Sequence, residues 1–220
     1  MKKIIILLSV LFFQFHSQAQ VYSMRHCTLL PITDDETGEM AFKIYAKVEK
    51  YLKTSLWCSY KSNAEIMDIF SKYRNHLSRH LKSKKVLQLV AEKLKVGSMI
   101  AINISSLKNE KPLIELNVYG EGGEDTYFSE RAYVDNPTVD RFEDYAKNWL
   151  ESYAKFIPYD GRIKGILGDQ VVIDSGNGYS ISENQSFIVL RPTKIKRHPL
   201  LKKVVNWETE TIGYGKISSV

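Results

Sequence analysis

The spacing of apolar residues changes once along this chain, at Pro158-Tyr159-Asp160-Gly161, and that change limits what the chain can fold into. Before the tetrapeptide, apolar side chains recur mostly every three or four residues, the spacing of one helix face, with a few alternating stretches between. After it, alternation at period two takes over, and seven of the 12 glycines lie in the last 60 residues. Proline fixes φ and glycine admits conformations closed to other residues, so the tetrapeptide suits a stiff turn leaving a helix. The expected organisation is an α+β domain over residues 20–158 followed by a small β domain over 159–220.

Residues 1–19 carry a different signal. Lys2 and Lys3 are basic, the run from Ile4 to Phe13 is apolar apart from Ser9, and Ser17-Gln18-Ala19 places small residues where a signal peptidase reads. This pattern predicts a secretory signal peptide cleaved after Ala19 and a periplasmic protein. The apolar run is too short for a membrane anchor, and no cysteine follows it to take a lipid. A protein outside the cytoplasm meets no ATP, no reduced nicotinamide pool and little free nucleic acid, which removes most cytoplasmic enzyme classes and a nucleic-acid partner. With 44% apolar and 25% charged residues the remainder is a folding chain, not a disordered one. The net charge of +6 favours acidic partners without choosing among them.

Within the first domain, 24–32 reads as a strand ended by Thr33-Asp34-Asp35. A helix follows over 38–55, with Phe42 or Ile44, Val48 and Leu52 directed to the core. A second strand covers 56–60. Ser62-Asn63-Ala64-Glu65 is a capping-box sequence, with the Ser62 oxygen expected to accept from the Glu65 amide. It would start a helix carrying Ile66, Phe70, Tyr73 and Leu77 inward. A short helix over 86–95, a strand over 98–106, a turn at 107–111, two meander strands over 112–119 and 126–134, and a last helix over 138–156 complete the domain. Alternation first and a meander later predicts a mixed sheet with helices packed on it. The tail reads as five short strands, over 162–167, 170–174, 186–191, within 203–207, and over 211–218. These would form a small β-barrel or curled sheet docked on the first domain, since 60 residues bury little core of their own.

Few constellations carry chemistry. Asp174-Ser175-Gly176 after Val171-Val172-Ile173 matches an aspartic-protease triplet, but that chemistry needs two carboxylates and only one such triplet exists. A hairpin turn running on through Asn177-Gly178 is the plainer reading. His76 and His80 stand four apart on a helix, without the third ligand and oriented surroundings a zinc site needs. The segment 71–85 holds six Lys or Arg and no acid. Lys72, Asn75, Arg79 and Lys82 fall on one helical face, which is either a solvated face or a docking surface for an acidic protein, lipid A or a glycan. Lys72, Arg79 and Lys82 are the candidate interaction residues. The basic stretch 193–203 reads as an exposed loop. Gly120 to Asp125 is glycine-rich but acidic, a hairpin loop with at most weak calcium affinity. Cys27 and Cys58 sit on the first two strands, one βαβ span apart, and are either a disulfide pair or two buried small residues. No nucleophile elbow, phosphate loop, dinucleotide fingerprint or metalloprotease motif occurs. No catalytic, cofactor-binding or metal-ligating residue is therefore expected, and the expected protein is not an enzyme.

The opening strand at 24–33, the long amphipathic helix, the strand 56–60 and the segment 96–106 together resemble the amino-terminal domain of TolB and its relatives, among them the curli-secretion protein CsgG. The tail, through Gly161-Arg162-Ile163 and the segments 168–176, 186–191 and 212–220, resembles the carboxy-terminal domain of the flagellar protein FlgT. The resemblance implies a TolB-like (anticodon-binding-like) mixed sheet followed by a β domain. It also implies a periplasmic scaffold associated with flagellar basal-body rings, with ring or envelope proteins as partners. An envelope adaptor in cell-wall synthesis or secretion and a hydrolase using Asp174 stand as alternatives, and homo-oligomerisation stays open.

Overall fold

A computed structural model describes residues 23–34, 39–72, 77–105, 111–174, 181–200 and 203–220. The expected leader, Tyr73, Asn75, His76, the 107–110 turn and residues 175–178 lie outside them.

The first part of the chain builds one sheet. Its strands are β1 (His26–Leu29), β2 (Thr33–Asp34), β3 (Ser59–Tyr60), β4 (Ser98–Ser105), β5 (Leu113–Gly120) and β6 (Thr126–Tyr133). The order is β3-β1-β4-β5-β6, with β2 also on β4. β1, β2 and β3 are parallel to their neighbours, and β4, β5 and β6 form the antiparallel meander. The single strand expected over 24–32 is split into β1 and β2, both lying along β4. Pro31 falls in the gap, where its missing N–H cannot serve the ladder.

Two long helices cover one face of the sheet. From α1 (Glu39–Thr54), Ile44, Val48 and Leu52 point inward; from α5 (Val139–Phe156), Phe142, Ala146, Leu150 and Tyr153 do. They pack against Ile100, Ile102 and Ile104 of β4 and Ile114, Leu116 and Val118 of β5. Each such side chain contributes roughly 1.5–3 kcal/mol of burial. Ile44, not Phe42, is the core residue: Phe42 is 73% exposed. It lies two positions from Ile44, and so on the other side of the helix. The Thr138 hydroxyl caps α5 by accepting from the Arg141 amide at 3.3 Å. On the other face, α4 (Lys84–Leu94) lays Val86, Leu87, Val90, Ala91 and Leu94 over Met99 and Leu30.

The helix expected after Ser62 is broken into pieces. A 3₁₀ turn (Asn63–Ile66) leads into α2 (Met67–Ser71), and α3 (Leu77–His80) is a separate single turn. The Ser62 hydroxyl accepts from the Ala64 amide at 3.3 Å, not from Glu65, because the chain starts as the tighter 3₁₀ form. Asn63 instead turns inward and donates to the Leu29 carbonyl at 3.2 Å.

The tail differs from its expected form. Its strands are β7 (Arg162–Leu167), β8 (Gln170–Asp174), β9 (Ser186–Arg197) and β10 (Val204–Lys216). They make two separate two-stranded ladders, β7-β8 and β9-β10, and no closed barrel forms among the described residues. Two of the five expected strands are one long β10, and the stretch read as a loop from 193 continues β9 as far as Arg197. The strand passes through Pro192 because the ladder is irregular there, its register shifting between Glu208 and Thr209 where Thr209 faces Pro192.

Candidate functional site

Two features stand out: a cleft where the tail meets the sheet, and a depression on the sheet face that α4 leaves open.

The cleft begins with the turn after α5. Arg25, just before β1, is 3% exposed. Its Nε donates to the Tyr159 carbonyl at 2.8 Å and its Nη2 to Asp160 Oδ1 at 3.2 Å. The Tyr159 hydroxyl in turn accepts from the Met24 amide at 2.7 Å. These contacts fasten 158–161 to the start of β1. Farther along, the turn end of the β9-β10 hairpin docks beside β6. Arg197 binds Asp125 through two parallel N–H donors at 2.7 and 2.8 Å, a paired geometry that a lysine cannot supply. The Lys203 ammonium donates to the Ser129 carbonyl at 2.7 Å. Val204 enters the main core at 1% exposure, and Trp207 lies against Tyr127 and Phe156, with ring centroids 5.7 and 6.3 Å away.

Between these two attachments lies a cleft of about 1650 Å³, with Tyr127, Tyr159, Ile173, Phe187, Val189 and Trp207 among its walls. Burial holds the Tyr127 hydroxyl well above its ordinary pKa, so it stays neutral. The Trp207 indole N–H is buried without an acceptor. Phe187 covers Gly215 on the neighbouring strand so closely that a Cβ there would strike its ring. The outer side of the same hairpin is also apolar: Ile188, Leu190 and Tyr214 are exposed, and Ile188 faces Tyr214 across the ladder.

Asp174 ends β8. Its carboxylate lies 2.8 Å from Lys164 Nζ and 3.5 Å from His26 Nε2. Lys164 and His26 thus flank this carboxylate, whereas an aspartic-protease pair sets a second carboxylate against the first. Burial lowers the pKa of His26, against the opposing pull of Asp174; Lys61 and Lys164 lower it further. Cys27 and Cys58 form a disulfide, with Cα atoms 5.8 Å apart, that joins β1 to the segment entering β3. In the acidic loop after β5, Asp125 is held by Arg197, Lys84 pairs with Glu124, and the described residues contain no cluster able to hold a metal ion.

The basic segment is not one helical face. Lys72 follows α2, Arg79 belongs to α3, and Lys82 lies in the turn before α4. Arg79 and Lys82 nonetheless come together at a depression of about 330 Å³ on the sheet, floored by Ala101 and Asn103 of β4 and Asn117 and Tyr119 of β5, with Thr33 at its side. Lys72 does not line it. Asn103 and Asn117 escaped sequence reasoning, although their signal was present: polar residues alternating with the core-facing apolar positions of two central strands.

No protein-family model matches the chain, and no curated protein matches it in sequence. Among solved structures it is similar to a lipoprotein from Neisseria meningitidis, at 8% identity and a TM-score of 0.42, over 59% of this chain and 96% of that one. It is also similar to TolB from Acinetobacter baumannii, at 13% identity and a TM-score of 0.39, over 64% of this chain and 31% of TolB. The chain thus spans about a third of TolB. Both are partial likenesses of shape.

Proposed function

We propose that this protein is a non-enzymatic, extracytoplasmic binding module that docks on other envelope proteins through its carboxy-terminal ladders. The observation that carries this reading is the apolar surface of the tail. Of the sixteen exposed large apolar side chains among the described residues, eleven lie between Ile163 and Val220, whereas Val204 is the one described apolar residue buried in that stretch. Apolar side chains on both faces of a long hairpin leave one face without a core of its own, the composition of a surface that is covered in a complex. The extracytoplasmic setting is supported by the leader-like start and by the Cys27–Cys58 disulfide, a bond kept mainly in oxidising compartments. The flagellar form of the proposal rests on the resemblance of 161–220 to FlgT; an adaptor in cell-wall synthesis or secretion is its competitor.

Replacing Ile188, Leu190 and Tyr214 together by Ser tests the docking surface. In-cell cross-linking in the native host should lose the adducts formed by the unaltered protein, with circular dichroism unchanged. Adducts that persist would overturn the docking role of this face. A deletion strain separates the two forms: lost motility with incomplete basal bodies supports the flagellar one, and normal motility with altered cell shape supports the adaptor.

A further inference from the structure

The depression beside α3 lies away from the cleft and does not depend on the docking role of the tail. We propose that Arg79, Lys82 and Asn117, with Asn103 and Tyr119, form a binding site for an anionic sugar, one that carries a phosphate or carboxylate.

Three observations converge. First, Asn117 is only 8% exposed, yet its side-chain amide makes no hydrogen bond with a described residue while it lines the depression. The amide edge is left to whatever fills the depression, and a ligand hydroxyl placed there supplies both a donor and an acceptor. Its neighbour Asn103 is already oriented. The Thr33 hydroxyl donates to Asn103 Oδ1 at 2.6 Å, so the Asn103 NH₂ is the end left to donate.

Second, the rim is cationic. Arg79 has no ion pair with a described residue, and Lys82 has only Glu115, at 3.9 Å. Glu115 offsets one of the two charges and does not line the depression, so a net positive charge remains over it.

Third, the remaining groups suit a polyhydroxy body more than a bare ion. Burial, followed by the nearby Glu115 charge, pushes the Tyr119 hydroxyl up to about 12, so it remains a neutral donor and acceptor at any physiological pH. Ala101 leaves room on the floor, Leu81 supplies apolar contact, and about 330 Å³ is the low end of cavities that hold small ligands. A bare phosphate would leave the amides on the floor unused. A sugar places hydroxyls on Asn103, Asn117 and Tyr119 and its charged group between Arg79 and Lys82. The same chemistry occurs in a free sugar acid or sugar phosphate and in the head group of a glycolipid.

The test is an NMR titration of the full mature chain, following the side-chain NH₂ signals of Asn103 and Asn117. Glucose 6-phosphate and glucuronate serve as anionic sugars, with glucose and inorganic phosphate as controls. At least one anionic sugar should shift the Asn117 signal saturably, at a concentration at least ten-fold below either control. Arg79→Ala should weaken that binding about ten-fold and Arg79→Lys less. Asn117→Asp, close in shape, should abolish it while leaving the backbone spectrum unchanged. Co-sedimentation with phosphatidylcholine vesicles containing lipid A, but not with vesicles containing phosphatidylglycerol, would identify a glycolipid source and also support the site. The proposal is overturned by an unmoved Asn117 signal together with no selective lipid A binding. It is equally overturned if phosphate binds as tightly as the anionic sugar, or if Arg79→Ala changes nothing.

Discussion

Residues 23–157 and residues 162–220 solve the problem of apolar surface in different ways. The first region covers both faces of its sheet, α1 and α5 on one side and α4 on most of the other, and ties β1 to the β3 segment with a disulfide. Among its described residues the second has two ladders and no helix, and it is attached through the turn before it, where Arg25 binds Tyr159, and through Arg197, Val204 and Trp207 at the turn end of β9-β10. The first region owes its stability to its own core. The second is held by its neighbour and leaves many apolar side chains exposed. A hairpin is marginal in water until something packs on it, so the same alternating pattern closes into a sandwich in one protein and stays as open ladders against a neighbour in another.

The contrast is sharpest when cores are truncated. Phe142→Ala, at a site with no exposure, should cost about 3–5 kcal/mol in urea unfolding. Ile188→Ala, on the exposed side of β9, should cost less than about 0.5 kcal/mol. Equal costs would erase the distinction between the regions.

Opening the disulfide should come next. Cys27 and Cys58 are 31 residues apart, and releasing a loop of that length should cost about 3–4 kcal/mol on the chain-entropy account. The Cys27→Ser, Cys58→Ser double variant should therefore unfold at clearly lower urea, and adding reductant should have no further effect on it. The β9-β10 hairpin should keep its protection from hydrogen exchange under conditions that leave the variant folded.

The attachment itself is tested by Arg25→Met, which keeps the aliphatic stem and removes the donors to Tyr159 and Asp160. It should cost about 1–3 kcal/mol and increase proteolytic cleavage near residues 158–161. A variant as resistant as the parent would show that the far attachment at Arg197 and Val204 suffices.

A smaller, pH-dependent effect follows from His26, which bridges the regions through Asp174. Burial lowers its pKa below the ordinary value of 6.5. As pH falls from 6.5 toward the lowered pKa, the unfolded chain takes up a proton that the folded chain holds less well. Stability from this group is therefore full above 6.5 and declines through that window. His26→Gln should flatten the decline in urea midpoints measured between pH 7.5 and 5. Smallest of all, Lys95→Gly should stabilise the first region by up to about 1 kcal/mol, because Lys95 ends α4 at φ 55, a conformation that glycine adopts without strain.

The elements most legible in the sequence were those whose local pattern and tertiary role agree. The periodicity of 38–55 and 138–156 marks α1 and α5 to within a residue or so, because one apolar stripe on a long helix has one place to go. The meander strands were legible for the same reason. The segment 62–85 was not. Its capping-box and helical spacing point to one helix, but Asn63 finds a better partner in the Leu29 carbonyl, and the chain breaks into short turns around Phe70 and Leu81. The basic residues were visible as a group. Which of them meet was not, because Arg79 and Lys82 converge on Asn103 and Asn117 only once β4 and β5 are paired.

By itself, the sequence determined the type of each long element of the first region, the change of pattern at Pro158 to Gly161, and the two cysteines one strand-helix-strand span apart. These follow from side-chain period and backbone restriction, which act within a few residues. Tertiary structure alone decided that the tail strands pair as two open ladders instead of closing, that a buried Arg25 fastens the turn after α5, and that an unpaired amide lies beneath two cations. Each depends on which distant surface supplies a partner, and a pattern read along the chain holds no record of that.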